Sequence, residues 1–167
     1  MSTRVGITGH SDLAAGSGPG VRAALNRALG GYGWAGGLVG VSCLAPGADQ
    51  LFARVVLDLG GRLEVILPAP DYRATQIDPT QAAEFDQLLA VSGSVRVMGF
   101  SASCRPAYMA ASAAMLASVE LLIAVWDGHP ATRLGSTGDV VSTARELGLP
   151  VTVLWPPTAR RRSTIAH

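Results

Sequence analysis

Apolar positions along the chain follow two alternating rhythms. Short, mainly apolar runs of strand length occur at Arg4–Thr8 (RVGIT), Gly40–Leu44, Leu63–Leu67 (LEVIL), Val95–Met98, Leu121–Trp126 and Val151–Trp155. Of these runs, Leu121–Trp126 is unbroken and predicts an inner strand of a parallel sheet. Between them the spacing lengthens to that of helices. Val21, Leu25, Ala28 and Leu29 share one face, and Leu51, Phe52, Val55, Val56 and Leu59 form another across Asp49–Leu59. Further helices are predicted at Thr80–Ala90, where Phe85, Leu88 and Leu89 face inward, at Ala107–Ser118 after Pro106, and at Thr137–Leu147. Gly30, Gly31, Gly33, Gly36 and Gly37 mark a loop; Gly60-Gly61, Pro68, Pro70, Gly148, Pro150 and Pro156-Pro157 mark ends.

Strands alternating with helices call for an α/β fold. The expectation is a single doubly wound, Rossmann-like domain with a mostly parallel sheet of about six strands and helices on both faces. Residues 1–157 form the domain, and 158–167 are expected as a flexible polar tail. In such sheets ligands sit beyond the carboxyl ends of the strands, where the winding reverses. The polar groups of the chain fall at those ends. Gly9-His10-Ser11-Asp12 follows the first strand, Pro46–Asp49 the second, Asp71-Tyr72 the third and Asp127–Asp139 the fifth.

The segment Leu121–Val141 concentrates the signal. A buried strand stops at Asp127-Gly128, and Gly135-Ser136-Thr137-Gly138-Asp139 opens a helix with small residues and hydroxyls. Unpaired N–H groups and the positive dipole end at such a helix start favour phosphate. Ser136 and Thr137 offer hydroxyls to it. Gly9 serves a tight turn or close ligand approach. His10 is read as a phosphate donor or acid–base group, or as a loop histidine bonded to a carbonyl. Asp12 caps a helix or meets a ribose hydroxyl, capping being simpler; Asp49 fits an N-cap behind the small turn Gly47-Ala48. Asp127 holds a sugar hydroxyl or a proton, or forms an Asx turn. Trp126 and Tyr108 are core aromatics or stacking surfaces for a base.

Composition narrows the function more than the fold. Hydrophobic residues are 49% and charged ones 15%, as in a compact globular chain, and the net charge of +1 gives no electrostatic case for nucleic acid. The chain has no lysine, which excludes Schiff-base and P-loop lysine chemistry. No G-x-G-x-x-G follows the first strand, and no P-loop or G-x-S-x-G elbow occurs. Cys43, expected as a small buried hydrophobe, and Cys104, in a loop, have no metal or disulfide spacing; no metal or cofactor is expected. Arg160-Arg161-Arg162 is expected to be a solvated terminus. With no signal peptide or spanning run, the expected place is the cytoplasm, with no membrane contact.

The motifs VGITGHSDL, LAPGADQLFA and LLIAVWDG…LGSTGDVVSTARELGLPVTVLW, over about residues 4–157, resemble the SLOG superfamily. This Rossmann-like group includes the Lonely Guy phosphoribohydrolases and DNA-processing protein A. The resemblance implies a nucleotide or nucleotide-derived ligand above the sheet, with phosphate at Gly135–Thr137, and by analogy a homodimer. This chain departs from the pattern at three places. The proline-glycine-glycine-x-glycine-threonine signature becomes Leu134-Gly135-Ser136-Thr137-Gly138-Asp139. The arginine-lysine pair falls on Ala111 and Ser112, leaving Arg105 or Arg133 as substitutes. Ser11 stands where relatives carry an arginine after Gly-His.

Two functions follow. One is a sensor or carrier that binds a nucleotide or another phosphorylated small molecule without turnover. The alternative is a hydrolase cleaving the N-glycosidic bond of nucleoside 5′-monophosphates, with Asp139 stabilising the ribose cation and His10 or Asp127 handling protons. The ligand-binding set is then Gly9, His10, Asp12, Gly47, Ala48, Asp49, Asp127, Gly128, Gly135, Ser136, Thr137 and Gly138.

Overall fold

The computed structural model describes residues 1–31, 34 and 36–162. Gly33, expected in the loop after the first helix, and residues 163–167 of the tail lie outside them. Six strands form one sheet: β1 (Thr3–Gly9), β2 (Leu38–Ser42), β3 (Arg62–Leu67), β4 (Ser94–Val97), β5 (Leu121–Val125) and β6 (Val151–Leu154). Their order is β4-β3-β2-β1-β5-β6, and every pairing is parallel. The helices are α1 (Gly18–Gly30), α2 (Ala48–Asp58), α3 (Tyr72–Gln76), α4 (Ala82–Val91, entered through a 3-10 turn at Pro79–Gln81), α5 (Arg105–Leu116) and α6 (Thr137–Glu146).

The winding leaves β1 in both directions, toward β2 on one side and β5 on the other, so the reversal lies between β1 and β5. Alternation along β1 sends Val5 and Ile7 to one face, where they pack with Val21, Leu25 and Leu29 of α1 and Phe52, Val55 and Val56 of α2. On the other face Val39, Val41 and Leu122 pack against Ala111 and Met115 of α5 and Val140 and Ala144 of α6. A third cluster joins Leu63, Val65 and Leu67 of β3 to Ala53, Tyr72, Phe85 and Leu88. Burial of these side chains from water is the main force holding the layers.

Two local expectations are corrected. The polar segment from Tyr72 to Pro79 holds α3, because Tyr72 is drawn into the third cluster. Cys43 lies one residue past β2 and is only half-buried, since the strand begins two residues earlier than its apolar run suggested. Val95 and Val97 on β4, at one edge of the sheet, are exposed. Cys104 is exposed as expected.

Gly9 ends β1 where the helical layer comes closest. A Cβ built there would lie 2.4 Å from Ala48 Cβ, at the start of α2. The missing side chain is what lets the β2–α2 turn fold over the end of β1. Gly9→Ala is expected to destabilise the protein by about 1–3 kcal/mol through overpacking. Gly30→Ala, at an open position in the last turn of α1, should instead stabilise it by about 0.5 kcal/mol. Urea unfolding of both variants checks the pair of signs.

Candidate functional site

The carboxyl ends of β1, β2, β3 and β5 surround a cleft of about 630 Å³, well within the range of roughly 300–1,000 Å³ usual for small-molecule sites. Gly9, His10, Ser11 and Asp12 line it from β1, Cys43, Ala45, Pro46 and Asp49 from β2, and Gly135 to Gly138 from the start of α6. Gly47, Ala48, Asp127, Gly128 and Asp139, also proposed from the sequence, are not among the lining residues.

Each of those five has a definable job behind the wall. Gly47 adopts φ 80°, and a Cβ there would lie 2.8 Å from His10 O. It and Ala48 bring α2 against the β1 loop, and Ala48 N–H donates to His10 O at 3.4 Å. Gly128 turns with φ 86° after β5. Asp139 accepts the Gly135 N–H at 2.7 Å, closing the turn that leads into α6. An acid in the first turn reaches backward naturally, because the donors there have no helical partner.

Asp127 is the hub of the β1–β5 junction. Its Oδ1 accepts the His129 N–H at 3.0 Å, the Asx turn considered from the sequence. It also lies 3.2 Å from His10 Nε2, 3.1 Å from His129 Nδ1 and 3.5 Å from Arg161 Nη1. Burial works to raise its pKa, but the bonds from His129 and the charge and bond of His10 outweigh it and hold the carboxyl at about 2. His10 is buried, its backbone N–H bonds Val125 O, and its ring meets Trp155 edge-on. Burial first, and then Arg161, push its pKa below the ordinary value, against the opposing pull of Asp127 and Asp12. His10 is therefore a neutral imidazole at neutral pH, suited to hydrogen bonding.

The expected solvated terminus is corrected at Arg161. Its guanidinium pairs with Asp12, Nε lying 3.0 and 3.1 Å from the two carboxylate oxygens. The backbone of 160–162 hydrogen-bonds Ala14 and Asp12, and Leu13 bridges to Arg161. Ser17 Oγ bonds both backbone groups of Arg160. Two carboxylates at the ends of β1 and β5 give the tail a fixed partner, which outweighs solvation of its charge. Asp12 accordingly does not cap α1, whose N-cap is Ser17. A cation thus stands beside Ser11 after all, delivered from the far end of the sequence.

At the other wall two helices begin side by side. A Cβ on Gly135 would lie 3.3 Å from Met109 N and 3.7 Å from Arg105 O, so α5 starts against the turn that opens α6. Thr137 and Gly138 are buried at the head of α6, and a Cβ on Gly138 would lie 2.8 Å from Ala131 N. Ser136 is the N-cap, but its hydroxyl makes no capping bond and is buried without a partner. The first-turn N–H groups of Thr137, Gly138 and Asp139 have no intrahelical acceptor. Arg105 and Arg133 line the same wall. Arg105 lies over the Tyr108 ring, 5.4 Å from its centroid, and the Arg133 guanidinium has no partner among the described residues. Ala111 is buried, whereas Ser112 lines the cleft. Tyr108 and Trp126 line it too; Trp126 Nε1–H bonds His129 O at 2.9 Å.

Asp49 corrects another expectation. The N-cap of α2 is Gly47, and Asp49 sits in the first turn, 5% exposed, its Oδ2 accepting the Ala45 N–H at 3.3 Å. Burial pushes its carboxyl up to about 7, with the Ala45 bond opposing. Among the described residues no group of His, Cys, Asp and Glu is placed to hold a metal, and no helix is long and apolar enough to cross a membrane.

A parallel, doubly wound sheet with a polar cleft at its winding reversal is a Rossmann-like architecture. No protein-family model matches the chain, and no curated protein matches it. Among solved structures, DNA processing protein A from Streptococcus pneumoniae superimposes with a TM-score of 0.62 at 16% identity, over 90% of this chain and 50% of that one. The same protein from Helicobacter pylori gives 0.60 at 20% identity, over 90% and 64%. The Moco carrier protein from Chlamydomonas reinhardtii gives 0.55 at 19%, over 92% and 76%. The chain therefore spans half the length of the first of these proteins. The chain shares its Rossmann-like fold with these proteins.

Two titrations follow from the charges around the cleft. Arg161→Ala should raise the His10 pKa, and Asp127→Asn should lower it, because the first removes a repelling charge and the second an attracting one; histidine NMR signals followed against pH read both. For Asp49 the folded pKa, about 7, stands above the unfolded value. From about pH 4 to 7 the folded state therefore holds a proton the unfolded chain lacks, and this group makes stability fall as pH rises, by up to ~1.4 kcal/mol per unit. Asp49→Asn should flatten that slope in denaturant titrations.

Proposed function

We propose that the chain binds a nucleotide or nucleotide-derived phosphorylated ligand in the cleft, as a sensor or carrier. The phosphate sits at the start of α6, on the N–H groups of Thr137 and Gly138 and the hydroxyls of Ser136 and Thr137. The observation that carries this reading is the buried, unpartnered Ser136 hydroxyl at the mouth of a helix whose first-turn donors are also unmet. Buried polar groups in native proteins ordinarily have partners, and an anion supplies one for all of these at once. Arg133 and Arg105 add charge beside the turn, in place of the arginine-lysine pair missing at Ala111 and Ser112.

The hydrolase reading has less behind it. Asp139 is engaged by Gly135, and Asp127 is engaged by His129, His10 and Arg161; neither lines the cleft. His10 alone of the three faces the ligand space. A carrier role is in keeping with the Moco carrier protein among the structural relatives. The Helicobacter pylori relative binds single-stranded DNA. A nucleic-acid role here would show as a gel shift that weakens steeply with salt, and the net charge of +1 supports the small-ligand reading instead.

A panel of nucleoside mono-, di- and triphosphates, screened by thermal shift, tests the proposal. At a hundredfold excess over Kd a ligand stabilises the folded state by about 2.7 kcal/mol, so a rise in Tm is expected for at least one member. No shift for any would count against binding. Arg133→Ala should weaken the responding ligand about tenfold, corresponding to ~1.4 kcal/mol, with little change in the Tm of the free protein.

A further inference from the structure

The cleft has a second end, across the tip of β1 from the α6 turn. There Asp49 lies 95% buried at the β2 side, with Pro46, Pro68, Tyr72 and Tyr108 lining the space around it. Its Oδ2 holds the Ala45 N–H, while Oδ1 has no hydrogen-bond partner among the described residues, and no arginine or histidine pairs with the carboxyl. The titratable groups facing it are Cys43, beyond β2, and Tyr72, at the start of α3; neither is charged at neutral pH, and burial holds the Tyr72 hydroxyl well above its usual range. A carboxyl this deep that lines the cleft with one oxygen unpartnered keeps acceptor capacity for a donor that enters. Pro68 and Tyr72 are buried, so the flat groups offered to a planar ring are half-buried Pro46 and Tyr108, whose ring Arg105 overlies at 5.4 Å.

We propose that Asp49 reads the ring of the bound ligand by accepting the adjacent N1–H and 2-amino donors of a 2-amino-4-oxopyrimidine edge, the chemistry shared by guanine and pterin rings. This rests on the phosphate site at α6 and adds the identity of the opposite end. Two parallel N–H donors match the two oxygens of one carboxylate, and each oxygen accepts more than one bond, so the Ala45 contact is retained. A ring with N1–H but no 2-amino group leaves one carboxylate oxygen unmet. Because the donors favour the ionised carboxyl, binding expels the proton Asp49 carries at lower pH. Affinity for a matching ligand therefore rises between pH 5.5 and 8 more steeply than for ribose 5-phosphate, whose rise comes only from the second phosphate ionisation at about pH 6, and Asp49→Asn removes that excess.

The test is calorimetry on the full chain with ribose 5-phosphate, inosine monophosphate, guanosine monophosphate and neopterin phosphate. Either guanosine monophosphate or neopterin phosphate is expected to bind at least about tenfold more tightly than inosine monophosphate, and whichever is tighter identifies the source of the ring. Asp49→Asn should remove that preference while leaving ribose 5-phosphate unchanged. Equal affinity of the wild type for inosine and guanosine monophosphates, with neopterin phosphate no tighter, overturns the proposal without any variant having to fold. If ribose 5-phosphate and the nucleotides all fail to bind, the phosphate site itself falls and this reading falls with it. If ribose 5-phosphate binds as well as the nucleotides, only the ring reading falls.

Discussion

A helix that begins at the bottom of an open crevice presents backbone donors that its own carbonyls cannot reach. In this chain that helix is α6. Asp139 satisfies the Gly135 N–H just before it, yet the Ser136 hydroxyl stays buried and unpartnered at the N-cap. The rest of the site is arranged around this unmet set. The reversal of winding between β1 and β5 keeps the crevice open, α5 starts alongside and brings Arg105, and the loop over Gly138 carries Arg133 to the same wall. On the proposed reading an anion meets hydroxyl, amides and guanidinium together.

The opposite side of the crevice is held by charge rather than left open. Asp127 ties His10, His129 and Arg161 into one network, and Arg161 brings Asp12 into it. Its effect is mechanical as much as electrostatic. It fixes the β1 loop against the β5 loop, so that the imidazole faces the cleft as a neutral hydrogen-bonding group while the two acids are occupied. Asp127 and Asp139, the acids of the hydrolase reading, are engaged by the protein itself and do not line the cleft.

Much of the fold was legible because its cause is local. LLIAVW is a continuous apolar run that only a strand covered on both faces can bury, and LEVIL is apolar apart from Glu64; β5 and β3 are found there. The turn before α6 was legible for the same reason: glycines and hydroxyls before an apolar helix are a local signal, and α6 begins at Thr137 as expected. What was hidden depended on partners distant in sequence. Asp49 looks like an N-cap, but Gly47, pressed against His10 O, takes that position and leaves Asp49 buried. Arg161 looks like tail, but Asp12 and Asp127 are nearly the whole chain and a strand-crossing away. Tyr72 is polar-flanked, and only the third cluster explains why it winds into α3.

The central claim is that ligand phosphate rests on the first turn of α6. Its most direct measurement is a two-dimensional amide NMR titration of the labelled protein with a nucleoside monophosphate. The predicted result is that the largest shifts fall on the N–H signals of Ser136, Thr137, Gly138 and Asp139, saturating together with a single Kd. Saturable binding that leaves those four signals in place and moves amides elsewhere would contradict it.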